Sequence, residues 1–111
     1  MNLTELINHN DTALIVIDVQ VDFASPDGVL GKKGRDLSLA VPMLDKLNQT
    51  IAAAEKSNIK VVYFKQLYDP KNMTALHLEA YKKDNRLITC DIKTDGHEFY
   101  GINPTENDKV F

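Results

Sequence analysis

The sequence predicts a doubly wound α/β fold, Rossmann-like, with a parallel sheet and helices on both faces. Three observations carry that expectation. Ala13-Leu14-Ile15-Val16-Ile17 is a continuous apolar run rich in β-branched side chains, the pattern of a strand buried on both faces. Leu44, Leu47, Ile51 and Ala54 then recur at helical spacing, which is the apolar stripe of an amphipathic helix. Val61-Val62-Tyr63-Phe64 is a second short β-branched and aromatic run, and the order strand, helix, strand implies a right-handed crossover between parallel neighbours.

Each element has local punctuation. Asn10-Asp11-Thr12 is a turn-forming cluster ahead of the first strand, and Ala24-Ser25-Pro26-Asp27-Gly28 with Gly31 and Gly34 reads as a long loop beyond it. Pro42 suits the first turn of the helix, and Asn58 suits a left-handed cap behind it. Tyr68-Asp69-Pro70-Lys71-Asn72 forms the loop after the second strand, and a weaker helical stretch covers Thr74 to Lys83. Residues 84–108 lack periodicity and contain Gly96, Gly101 and Pro104, and Lys109-Val110-Phe111 resembles the opening of a third strand. Two complete strands and one and a half helices bury little surface for a parallel sheet, so residues 1–111 are expected to be the N-terminal part of a single domain.

Composition narrows the classes of function. Of 111 residues, 43% are hydrophobic and 26% charged, and the net charge is −3 from 13 basic and 16 acidic side chains spread along the chain. That balance is ordinary for a globular protein and gives no stripe for nucleic acid. The apolar runs are too short to cross a bilayer, and the first ten residues lack a signal-peptide pattern, so no membrane partner and a cytoplasmic location are expected. Cys90 is the single cysteine; it has no disulfide partner, and His9, His77 and His97 are not spaced as ligands. Neither a metal nor another cofactor is expected.

An open parallel sheet binds its ligands beyond the carboxyl ends of its strands, where Asp18 directly follows the first apolar run. Two readings of it stay open on spacing alone. A carboxylate leaving an apolar strand is partly desolvated and suited to proton transfer near neutral pH; alternatively, Asp18 only caps amides of the following loop. Asp22 fits the capping role better.

The segment Leu14-Ile15-Val16-Ile17-Asp18-Val19-Gln20-Val21-Asp22-Phe23 resembles the D-V-Q-x-D-F signature of the isochorismatase-like hydrolases. Further matches follow in order. Val41-Pro42 with Leu47 and 51–54 resembles the family's first helix, Val61-Val62-Tyr63-Phe64 its second strand, 90–99 its T-x-G-x-E segment, and Pro104 with 108–110 the approach to its third strand.

The resemblance implies a catalytic triad of aspartate, lysine and cysteine, of which Asp18 matches the aspartate. The family lysine falls just past Phe111 and the nucleophilic cysteine further on. Lys109 precedes the lysine position and reads as a solvated side chain; Cys90 lies in the T-x-G-x-E segment and reads as structural. The implied chemistry is thiolate attack on a C–N bond of a small amide or ureido substrate, with Asp18 shuttling the proton. The pattern 61–64 followed by Tyr68-Asp69-Pro70 is similar to the ureidoacrylate amidohydrolase branch, which makes Gln66 and Tyr68 substrate-binding candidates, with Phe23 as an apolar wall. The same resemblance implies a homo-oligomer. Three other readings compete: an isochorismate-type vinyl ether hydrolase, a catalytically inactive binding or assembly module, and, on fold analogy alone, a flavodoxin-like nucleotide binder that lacks the G-x-G-x-x-G pattern.

Overall fold

The computed structural model describes residues 2–111. A one-turn helix, α1 (Leu3–Leu6), absent from the sequence expectation, precedes strand β1 (Ala13–Ile17). Two single-turn helices follow, α2 (Val21–Ala24) and α3 (Val29–Lys32), then the long helix α4 (Ala40–Lys56) and strand β2 (Lys60–Phe64). Helix α5 (Ala75–Lys83) and the short strand β3 (Lys109–Val110) complete the order.

The sheet runs β1-β2-β3 with both pairs parallel. Ile17 pairs with Phe64 and Tyr63 with Val110, which aligns the carboxyl ends of all three strands along one edge. The ladder extends past the strands: the Asp18 N–H donates to the Phe64 carbonyl, and the Lys65 N–H donates to that of Phe111. Asn58 takes φ of 57° behind α4, as its capping role requires. At α5 the Thr74 hydroxyl accepts the His77 N–H, a side-chain N-cap.

The core fills the gap between one face of the sheet and α4. Leu44, Ile51 and Ala54 from the helix pack with Val16, Val61 and Tyr63 from the strands, joined by Val19 and Ile102. Gly101, at φ of 71°, lies so close to α4 that a Cβ would crowd the Leu44 side chain. Asn48 fixes that contact by donating from Nδ2 to the carbonyls of both Leu44 and Gly101.

The other face of the sheet differs from the expectation of a strand buried on both sides. Ile15 is 53% and Ile17 61% exposed, and Phe64 and Phe111 stack beside them with ring centroids 5.3 Å apart, also exposed. Side chains alternate across a strand, so one helix buries only the even-numbered positions of β1; no other described element packs over the odd ones. Among the described residues no helix is long and apolar enough to cross a membrane.

The long loop after β1 is also more ordered than its glycines suggest, because α2 and α3 form within it and are tied back to the sheet. With α4 supplying the main apolar contact, Ile51→Ala is expected to cost about 2–4 kcal/mol in urea unfolding, whereas Leu76→Ala on exposed α5 stays within about 0.5 kcal/mol of the parent.

Candidate functional site

Asp18 ends β1 in the left-handed region, at φ of 57°. That conformation is uncommon outside glycine, and aspartate is among the residues that tolerate it. Its backbone is held on both sides: its N–H bonds to Phe64, and its carbonyl accepts the Gln20 N–H. The carboxylate itself is exposed at the sheet edge, not partly desolvated as the apolar run implied. The backbone reversal after Ile17 carries the side chain out of the layer that α4 covers.

The turn that aims Asp18 also buries the next two polar residues of the signature. Gln20 is fully buried. Its Nε2 donates to the carbonyls of Gln66 and His97, and its Oε1 accepts the Gln66 N–H, each at 2.8 Å. Both amide protons and the oxygen are therefore satisfied, which a buried carboxamide requires. Asp22, 4% exposed, receives the Val29 N–H on Oδ1 at 2.9 Å and the Cys90 N–H on Oδ2 at 2.7 Å. It is the loop-binding residue expected, and charge-assisted bonds of this kind are among the stronger ones. Gly96 packs directly on this carboxylate, and a Cβ there would overlap it.

These contacts draw the irregular segment onto the sheet edge. Residues 97–100 run antiparallel to 19–21 through the bonds Val21 N–H to Glu98 and Tyr100 N–H to Val19. Tyr68 bridges to the same segment, its N–H donating to the Cys90 carbonyl and its carbonyl accepting the Ile92 N–H. The Gln66 side chain, half-buried, donates to the Thr89 hydroxyl at 3.3 Å. The Tyr68 ring stands edge-on to Tyr81, 5.1 Å between centroids. Gln66 and Tyr68 thus share the edge with Asp18. Phe23 does not join them: it lines a separate depression of about 290 Å³ with Ala24, Leu37, Leu39 and Met43.

Two residues that tempt a catalytic reading, Cys90 and Lys109, sit in unlike settings. Cys90 has no exposed surface and sits at φ of 57°. Burial first, then the charges of Asp22 and Asp18, push its thiol up to about 12, so it carries almost no thiolate at neutral pH. Lys109 is the first residue of β3, paired with Val62, and is exposed. Lys65, which no sequence pattern singles out, stands at the edge with its Nζ 5.2 Å from the centre of the Phe99 ring, a cation–π distance; its charge also reaches the Cys90 thiol. His97 keeps its Nδ1 buried with no hydrogen-bond partner among the described residues.

A model of the isochorismatase domain matches residues 12–111. The chain belongs to the isochorismatase family. Among curated relatives it is similar to ureidoacrylate amidohydrolase RutB of Methylorubrum extorquens, 38% identical over 64 residues, which is 58% of this chain and 26% of that protein. The RutB proteins of Methylobacterium radiotolerans, 39% identical over 58% of this chain and 25% of theirs, and of Serratia proteamaculans, 37% over 59% and 26%, match similarly. These matches span about a quarter of the relatives' length. The fold is that of a solved cysteine hydrolase from Pseudomonas syringae pv. phaseolicola 1448A, at a TM-score of 0.72 and 22% identity over 94% of this chain and 46% of that one.

In this isochorismatase-family site, Asp22→Asn leaves one oxygen for two N–H donors and turns an NH₂ group toward the other. A loss of about 1–3 kcal/mol in urea unfolding is expected, with a comparable or larger loss for Gly96→Ala. Alkali tests Cys90: because its folded pKa lies above its ordinary value of 9.0, at about 12, the stabilisation is complete below pH 9 and declines as the pH rises toward 12. Unfolding free energy should fall by about 1.4 kcal/mol per pH unit in that window, and Cys90→Ser should remove that slope. Tyr63, raised by burial and by Asp108 and Glu55, adds a second alkaline slope that Cys90→Ser leaves in place.

Proposed function

We propose that this chain supplies the aspartate side of the active site of a hydrolase that cleaves a C–N bond in a small amide or ureido substrate. The observation that carries the reading is Asp18: an exposed carboxylate fixed by two backbone bonds at the carboxyl edge of a parallel sheet, the edge where such sheets bind ligands. The likeness to ureidoacrylate amidohydrolases supports the choice of bond.

In the proposed reaction Asp18 takes the proton of a cysteine thiol as the sulfur adds to the carbonyl carbon, then gives that proton to the departing nitrogen as the C–N bond breaks. Water then attacks the thioester while Asp18 takes up its proton, which restores the thiol and releases the acid. A lysine beside the aspartate supports the charges on both. Cys90, buried and protonated, is unsuited to the nucleophile's part, and the reading assigns the lysine and the cysteine to sequence outside residues 1–111. Gln66 and Tyr68 bind the substrate from the edge of β2, and no metal or other cofactor takes part. We place the enzyme in the cytoplasm as a homo-oligomer, in keeping with its unpaired cysteine and the family resemblance.

Ureidoacrylate is the first substrate to offer to the complete gene product. Asp18→Asn is expected to lower kcat by about 100-fold or more, while the thermal midpoint stays unchanged because the side chain is exposed. Gln66→Ala and Tyr68→Ala should raise KM more than they lower kcat. Full turnover by Asp18→Asn would overturn the assignment.

One observation favours a second reading, an inactive binding or assembly module: the uncovered face of Ile15, Ile17, Phe64 and Phe111 is of the kind that a partner covers. Absence of turnover on any amide, ureido or vinyl ether substrate, together with tight association through that face, would favour it.

A further inference from the structure

Away from the sheet edge, a groove of about 890 Å³ opens between α3 and the turn that follows α5. One wall carries Val29, Lys32, Lys33 and Arg35, and the other Asn85, Arg86, Leu87 and Ile88. Four cations and no acid line it, in a chain whose net charge is −3. The sequence spreads its basic residues evenly, and the fold brings Arg86 across to the run 32–35.

The acids nearest in sequence leave most of this charge unanswered. Asp84 receives Nε and Nη2 of Arg86 on one oxygen, in an ion pair that is half-exposed. Asp36 turns toward the Ser38 N–H. Lys32, Lys33 and Arg35 make no ion pair among the described residues.

The groove's geometry is fixed by buried structure. The carboxylate of Asp22 holds Val29, in the first wall, with one oxygen and Cys90, two residues beyond the second wall, with the other. Gly31 lets α3 lie against the backbone of Pro26, where a Cβ would clash. Gly34, at φ of 78°, folds the chain back so that the Arg35 N–H reaches the Leu30 carbonyl, and Asn85, at φ of 46°, turns the chain between α5 and Arg86. The cations are therefore anchored on backbone set before any ligand arrives, which lowers the cost of ordering them.

We propose that this groove is a binding site for a small anion carrying two or more negative charges on phosphate or carboxylate groups. Arg35 and Arg86 offer planar forks that match such oxygens, and Lys32 and Lys33 add point charges. The site is distinct from the edge that holds Asp18, and the proposal does not depend on the hydrolase reading.

The test is calorimetric titration of the full chain with inorganic tripolyphosphate, with citrate and with acetate, at matched ionic strength. Tripolyphosphate or citrate is expected to bind one-to-one, with affinity that falls as salt rises, and acetate not to compete. Arg35→Gln with Arg86→Gln should weaken binding by about tenfold or more. Lys46→Gln with Lys56→Gln, exposed on α4, should change it by less than about twofold. All four side chains are on the surface, so thermal melts of both variants should match the parent and keep loss of binding separate from loss of fold. Binding of only one of the two multivalent anions supports the site and assigns its preferred group. No heat from either, equal binding of acetate, or equal weakening by the α4 pair overturns it.

Discussion

Two buried polar side chains, Gln20 and Asp22, hold the carboxyl edge of the sheet together, and the positions of most other functional groups follow from them. Each makes hydrogen bonds to main-chain groups that tie separate segments together: Gln20 to Gln66 and His97, Asp22 to nearby Val29 and to distant Cys90. Burial of a carboxylate or carboxamide is costly unless its hydrogen-bonding capacity is met. That cost makes the arrangement selective. A packing in which residues 89–98 drifted from the edge would strand the carboxamide and the carboxylate, so the segment docks where both are satisfied, although it has almost no regular secondary structure of its own.

The same clamp links the edge to the surface groove. Asp18 projects outward because the chain reverses at φ of 57° before Gln20 turns inward, and Val29 and Cys90 are set by Asp22 from within. A change to Asp22 should therefore be felt in two places that share no lining residue. The glycines at 28 and 96 belong to this design: both lie against Asp22 or its neighbour Val21 so closely that a Cβ would meet backbone or carboxylate. Their purpose is close approach rather than flexibility, since neither has a positive φ.

Much of this was legible in the sequence where a repeating pattern existed. The strand at 13–17, the helix stripe through Leu44, Ile51 and Ala54, and the second strand are all readable from periodicity, and the cap at Asn58 from residue type. Asp22 can be assigned to loop binding because it lies inside the segment that follows the strand, among the amides it binds. What the sequence obscures is nonlocal. A run of β-branched residues looks alike whether one face is covered or two, so the exposure of Ile15 and Ile17 is not visible in it. Gln20 stands out only as part of a signature; its partners lie 46 and 77 residues away, beyond any local pattern. The basic groove is hidden for the same reason, because Arg86 and Arg35 are neighbours only in space.

Cys90 and Asp18 show how the fold separates residue type from reactivity. Both sit in left-handed backbone near the same edge, and a cysteine and a carboxylate in one neighbourhood would suggest a nucleophile and its base. The fold gives them opposite environments. Cys90 faces inward with two carboxylates close enough to oppose its ionisation, which favours the neutral thiol and makes it a packing group. Asp18 faces water, free of any side-chain anchor among the described residues, while its backbone is held firmly. A group that must move a proton to and from a bound molecule needs a fixed base and an accessible tip, and of the two only Asp18 combines them.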